Sequence, residues 1–187
     1  MDTKVRWEEM FPDEMEAAIV NRPVCYLAYG LSERHGLHNA MGLDGLKAYA
    51  LVQQAAKAHG GVVAPMNWWH IQEIPVGANF LNAAVGARWR EIGATFITSV
   101  PVRLFLESIV YHLRCVEMAG FRAAVMVTGH YGGPELDMKL VAQTYSANRP
   151  LRAAALADNE LINYRDYTGD RAGPVHRPLP IPFTCLA

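Results

Sequence analysis

Along the chain, short continuous apolar runs alternate with longer stretches in which apolar residues recur at helical spacing. Residues 12–20 predict a first helix. Pro12, Asp13 and Glu14 stand at its start, where backbone N–H groups are unpaired and acids are favoured. Residues 24–29 form an apolar run of strand length without alternation, as expected of a strand covered on both faces. Helical spacing of Ala, Leu and Lys returns over 45–59 and stops at Gly60-Gly61, and residues 62–65 predict the next strand. Leu104, Phe105, Ile109, Leu113 and Val116 then mark one helical stripe that ends at Gly120. Residues 123–128 follow as a second buried strand, 134–148 as a helix and 151–157 as a further strand. Strand and helix in alternation predict an α/β domain with a parallel sheet and helices on both faces.

Two regions break this pattern. Residues 66–98 carry Trp68, Trp69, Trp89, Pro75, Gly77, Gly86 and Gly93 with no clear period, and read as a long, partly helical excursion. Such a segment inside a compact domain is more often functional or oligomeric than idle. Residues 164–187 are rich in Pro, Gly and Arg and read as irregular chain. Internal repeats are absent, and 187 residues fit a single domain able to bury its own core.

Composition narrows the class. The chain is 51% hydrophobic with 17 Lys and Arg against 18 Asp and Glu, a net charge of −1 without runs of like charge. That balance argues against nucleic acid or an anionic membrane as partner. No stretch reaches the roughly 20 apolar residues of a membrane span, and the first residues contain no apolar signal segment. Cys25, Cys115 and Cys185 are odd in number and widely spaced, which reads as reduced thiols in a cytoplasmic protein.

The candidate chemistry falls directly after the two clearest strands. Tyr29 is followed by Gly30-Leu31-Ser32-Glu33-Arg34-His35-Gly36-Leu37-His38, with Asp44 just before the next helix; Thr128 is followed by Gly129-His130-Tyr131-Gly132-Gly133. In a parallel sheet the carboxyl ends of strands share the edge at which ligands bind. Glu33 and His35, two apart, point the same way in an extended loop. Asp44 and His130 would complete a mixed nitrogen and oxygen shell suited to Zn²⁺, Mn²⁺ or Fe²⁺, and Asp44 has two oxygens with which to bridge a pair of ions. The glycines flanking His130 let backbone N–H groups approach an oxyanion. Glu-x-His is a common pair, however, and on spacing alone a solvated polar loop explains these residues as well.

The motifs resemble those of the creatininase family. Glu33-Arg34-His35-Gly36-Leu37-His38 with Asp44 nine residues after His35 is similar to its Glu-Gln-His-Gly-Pro-His…Asp signature. Gly129-His130-Tyr131-Gly132-Gly133 is similar to its Asn-Gly-His-Gly-Gly-Asn signature, and Ala119-Gly120-Phe121-Arg122 to the Gly-Phe-Arg before its central strand. The resemblance spans roughly residues 7–145. It implies a three-layer α/β/α sandwich with a mostly parallel sheet, one or two divalent ions (Zn, Mn or Fe) per chain, hydrolysis of a small cyclic or linear amide through metal-activated hydroxide, and a homo-oligomer, often a hexamer. By motif position Glu33, His35, Asp44 and His130 are the implied ligands, with Asp44 bridging. Tyr131 is implied in lining the substrate pocket, and the N–H groups near Gly132 and Gly133 in holding the oxyanion.

The chain also departs from the family. Gly132 stands where creatininase itself has a glutamate two residues after the ligand histidine. The later His-Ala-Gly-Glu-x-Glu-Thr segment is here Arg171-Ala172-Gly173-Pro174-Val175-His176, and the chain stops at Ala187, short of the usual length. His176 is then either a substitute ligand or a surface residue, and Glu135 either a ligand or an acid in a helix's first turn. Trp68-Trp69-His70 either wall the pocket or belong to core and contacts, while His38 is expected to hydrogen-bond a ligand rather than to be one. The alternative to an amidohydrolase is a shortened, catalytically impaired member acting as a metal-binding or assembly protein.

Overall fold

The computed structural model describes residues 4–33, 35, 37–71, 97–130 and 134–161. Among the described residues, four helices and four strands carry the fold: α1 (Pro12–Asn21), β1 (Val24–Tyr29), α2 (Leu43–His59), β2 (Val62–Val63), α3 (Val102–Met118), β3 (Ala123–Thr128), α4 (Pro134–Asn148) and β4 (Arg152–Ala157). The strands form one sheet in the order β2-β1-β3-β4, every neighbouring pair parallel. β1 and β3 are central and in full register from Val24 opposite Ala123 to Tyr29 opposite Thr128.

Both faces of the sheet are covered, which makes the expected three layers. On one face α2 lays Ala48, Val52 and Ala56 against Val24, Tyr26, Ala28, Val63, Ala123 and Val127. On the other, Phe105, Ile109, Leu113 and Val116 of α3 and Met138, Ala142 and Tyr145 of α4 close over Cys25, Leu27, Tyr29, Ala124 and Met126. Small residues on α2 and large ones on α3 keep a close layer and a thick layer on opposite sides. Leu104, expected in the α3 stripe, is exposed instead. It sits about 100° around the helix from Phe105, off the line that Phe105, Ile109, Leu113 and Val116 define.

The strand expected over 62–65 is only two residues long. Pro65 has no N–H to give, yet the chain keeps running beside β1: Ala64 N–H donates to Tyr26 O, Asn67 N–H to Ala28 O and Gly30 N–H to Asn67 O. On its other side, Val63 N–H donates to Val5 O, so residues 5 and 6 lie alongside β2. Most of the 66–98 excursion, and all of 164–187, lie outside the described residues.

From β1 the chain crosses to β2 on one side, and β3 lies on the other, so the connections leaving β1 and β3 diverge. That divergence opens a crevice at the carboxyl edge, the usual ligand position in open parallel sheets. α2 descends into it because three glycines leave room. A Cβ on Gly30 would meet Gly45 N at 2.4 Å, one on Gly45 the Trp68 ring at 2.4 Å, and one on Gly129 Asp44 O at 2.1 Å. Gly129→Ala is therefore expected to push the start of α2 off the sheet edge and to destabilise the protein by about 1–3 kcal/mol. Urea unfolding of the variant beside the parent checks this.

Candidate metal centre

Among the described residues the buried polar and charged side chains are Asp44, His70, Thr128, His130 and Asp158. Thr128 ends β3, Asp158 follows the last residue of β4, and the other three converge on the same edge. Polar groups are buried only where partners meet them, so this concentration marks the site.

Asp44 is the centre of the cluster. It lies one residue inside α2, not before it as the sequence suggested, and an acid in a first turn gains from the helix dipole. Its oxygens face opposite ways: Oδ2 is 3.1 Å from His130 Nδ1, and Oδ1 is 3.1 Å from His35 Nε2. Glu33 Oε1 lies 3.3 Å from His130 Nδ1 and 3.7 Å from His35 Nε2. The ligand atoms of Glu33, His35 and Asp44 are all within 4.8 Å of one another. His35 Nδ1 is 3.3 Å from Glu33 O; a proton held there leaves Nε2 as the lone pair facing the carboxylates. Four residues from three elements are thus gathered at one place.

Burial alone would push the His130 imidazole down. Hydrogen bonds and charge from Asp44 and Glu33 outweigh it and hold the pKa at about 9. Burial likewise raises Asp44, but His130, His35 and Lys47 together bring it below the ordinary carboxylate value. A proton on His130 therefore stands between two carboxylates, in the position where a metal cation would satisfy all three groups. Two imidazoles and two carboxylates at these separations suit a divalent ion of the Zn or Mn kind.

A second set of contacts fixes His130 from behind. Thr128 Oγ1 accepts from His130 N–H at 3.1 Å and donates to His130 O at 3.1 Å. His70, fully buried against Phe105, takes Ile71 N–H on Nδ1 at 2.8 Å, so its proton is on Nε2, 3.1 Å from Thr128 Oγ1. Burial, and then the charge of His130, push His70 down to about 3, so it stays neutral. Thr98 does a similar service for the first loop. Its Oγ1 accepts from Ser32 N–H at 2.8 Å and donates to Trp68 O at 2.6 Å, tying the Glu33 segment to the tryptophan segment.

Trp68-Trp69-His70 divide three ways. Trp68 covers Gly42 and Gly45 at the start of α2, Trp69 is exposed, and His70 supports Thr128. His38 is exposed on the loop, and the hydrogen-bonding place beside His130 is taken by Thr128 instead. Glu135 is half-buried in the first turn of α4. Tyr131, Gly132 and Gly133, and the segment from Arg171 to His176, lie outside the described residues. Sequence reasoning missed Lys47, Thr98, Thr128 and Asp158. Thr128 and Asp158 carry one usable signal, a polar residue at or just past the end of an apolar strand.

An α/β protein with carboxylates and imidazoles converging at the switch point of a parallel sheet is the class that fold and site define. The family model for creatininase, described as creatinine amidohydrolase, matches residues 8–173, and the chain belongs to that family. Among solved structures, "Creatininase Mn" is 20% identical with a TM-score of 0.64, covering 95% of this chain and 68% of its own. A mutant creatininase of "Zn-Zn type" is 19% identical with a TM-score of 0.67, over 94% and 67%. A putative creatinine amidohydrolase from Bacteroides fragilis is 16% identical with a TM-score of 0.58, over 89% and 61%. The chain spans 62% of the length of another mutant creatininase, type II. A search of curated protein sequences found no match.

Thr128→Val would strand His130 N–H and His70 Nε2–H in a buried place and is expected to cost about 1–3 kcal/mol, with Thr128→Ser close to the parent. Denaturant titration of both variants checks it. In chelator-treated protein the raised His130 pKa contributes stability that is fully present below about pH 6.5. It is lost as pH rises through about 9, a change on the order of 3 kcal/mol. Urea midpoints measured from pH 6 to 9.5 should fall in that window.

Proposed function

We propose that the chain is a metal-dependent amidohydrolase that cleaves a carbon–nitrogen bond of a small cyclic or linear amide. One observation carries the proposal: Asp44 presents one oxygen to His130 and the other to His35, with Glu33 reaching both, in a member of the creatininase family. Glu33, His35, Asp44 and His130 are proposed to hold the ion. One solved relative is a creatininase named for Mn and another is of Zn-Zn type, which supports either metal here. A bound divalent ion ionises water near neutral pH and polarises the carbonyl to be attacked.

The chain's own residues supply the rest. Asp44 and Glu33 would balance the charge of a bound ion, and Glu33 lies within reach of both imidazoles. Thr128 holds the His130 backbone, and the His70 ring packs edge-on against the His130 ring. The N–H groups of Gly132 and Gly133, next along the chain from His130, are proposed to receive the oxyanion, and Tyr131 to line the substrate pocket; each such donor contributes roughly 3 kcal/mol in acyl transfer.

A cavity of about 580 Å³ is lined by Tyr29, Asn67, Trp68, Trp69, His112 and Cys115 among others, and by none of Glu33, His35, Asp44 and His130. Leu104, Tyr111 and Met118 on α3 and Leu136 and Leu140 on α4 are large apolar side chains left exposed, which supports contact between copies of the chain. Among the described residues no helix is long and apolar enough to cross a membrane.

Elemental analysis, followed by a screen of cyclic amides and formamides, tests the proposal. The parent is expected to carry metal and to hydrolyse at least one such amide, with activity lost on chelation and restored by Zn²⁺ or Mn²⁺. His130→Ala should lose most of the metal and at least ~100-fold in rate. Metal-free parent protein would sink the proposal.

A further inference from the structure

The two oxygens of Asp44 do not face equivalent surroundings. On the Oδ2 side stands His130 Nδ1, and Glu33 Oε1 reaches this imidazole at 3.3 Å and that of His35 at 3.7 Å. On the Oδ1 side stands His35 Nε2, but also the ammonium of Lys47, 3.6 Å from Oδ1. The same Nζ lies 3.3 Å from Oδ2 of buried Asp158, at the carboxyl end of β4. Lys47 therefore bridges two carboxylates on one flank of the cluster.

We propose that the Lys47 ammonium takes the place of a second cation, so that this centre holds one divalent ion tightly, among Glu33, His35, Asp44 and His130. The inference rests on the metal-centre reading above and fixes its stoichiometry. Charge supports it. Among the described residues at the cluster, Glu33, Asp44 and Asp158 bring three negative charges and Lys47 returns one positive, leaving −2 with neutral imidazoles, which one divalent ion cancels. A second divalent ion would overshoot by two and would be repelled by the ammonium beside the shared carboxylate. Position supports it as well. Lys47 is the fifth residue of α2, near the end whose dipole gives a cation nothing, so the carboxylates and not the helix account for its placement. Gly132, two residues past His130, has no side chain to offer a second ion.

The test is a Co²⁺ titration of chelator-stripped protein followed by absorbance, with bound Zn²⁺ counted by native mass spectrometry. The parent is expected to bind one equivalent at least ~100-fold more tightly than any second. Lys47→Met, which keeps the length and removes the charge, should tighten the second equivalent by at least ~10-fold, while Lys47→Arg should behave as the parent. Circular dichroism and melting temperature confirm that both variants fold. Two equivalents of similar affinity in the parent would overturn the inference while leaving the metal-centre reading intact, and this arm needs no variant. A Lys47→Met titration that matches Lys47→Arg would also overturn it. Parent protein that binds neither ion would overturn both readings together.

Discussion

The close approach of α2 to the carboxyl ends of β1 and β3 is the constraint on which the site depends. Asp44 is delivered to the crevice by the first turn of a helix, whereas Glu33, His35 and His130 arrive on strand-connected loops. For the helix to reach that depth its backbone must touch the backbone of the strand ends, and any Cβ at Gly30 or Gly129 would hold it off. Trp68 then seals the same turn from outside, against a Gly45 that likewise has no room for a side chain. The layer of small residues along α2, Ala48 and Ala56 with Val52 between them, continues the close packing up the sheet. Backbone proximity thus comes first, and the ligand geometry follows from it.

Burying five polar or charged residues at one edge would be costly if any lacked partners. Here each is tied to another. Thr128 serves the His130 backbone and His70 together; His70 has its proton fixed by Ile71 N–H; Asp158 and Asp44 share Lys47. The arrangement separates two jobs. Neutral hydrogen bonds behind His130 hold position, while charged groups in front of it set the affinity for a cation. A neutral His70 is essential to that division, because a second imidazolium 5.4 Å from the His130 ring would oppose any cation bound there.

Much of this was legible in the sequence, for physical reasons that differ from element to element. β1 and β3 are buried on both faces, and unbroken apolar runs announce such strands directly. The helices were bounded by Pro12, by Gly60-Gly61 and by Gly120, residues whose backbone preferences act locally. β1 and β3 are neighbours that end at the same sheet edge, so the residues directly after them, Glu33, His35 and His130, are legible as one group. Asp44 was placed with them, though outside its helix rather than within it, since a helix start without a side-chain cap leaves little trace. Lys47 and Asp158 were not legible. Their pairing joins α2 to the far end of β4, and no local pattern encodes a contact across 111 residues. His70 was noticed only as part of an aromatic cluster, because nothing in the sequence says which of three adjacent side chains turns inward.

The strip of chain at residues 5 and 6, which lends a carbonyl to Val63, has a consequence beyond the site. β2 is the outermost strand on its side, and an outer strand offers unpaired N–H and C=O groups to any extended chain that drifts by. Val5 occupies one of those groups, Pro65 removes another, and the ion pairs of Lys4 with Glu14 and Arg6 with Glu9 pin the covering strip in place. The strip therefore works as a guard against edge-to-edge aggregation, and shaving it away should leave a centre with its ligands intact on a protein that no longer stays in solution.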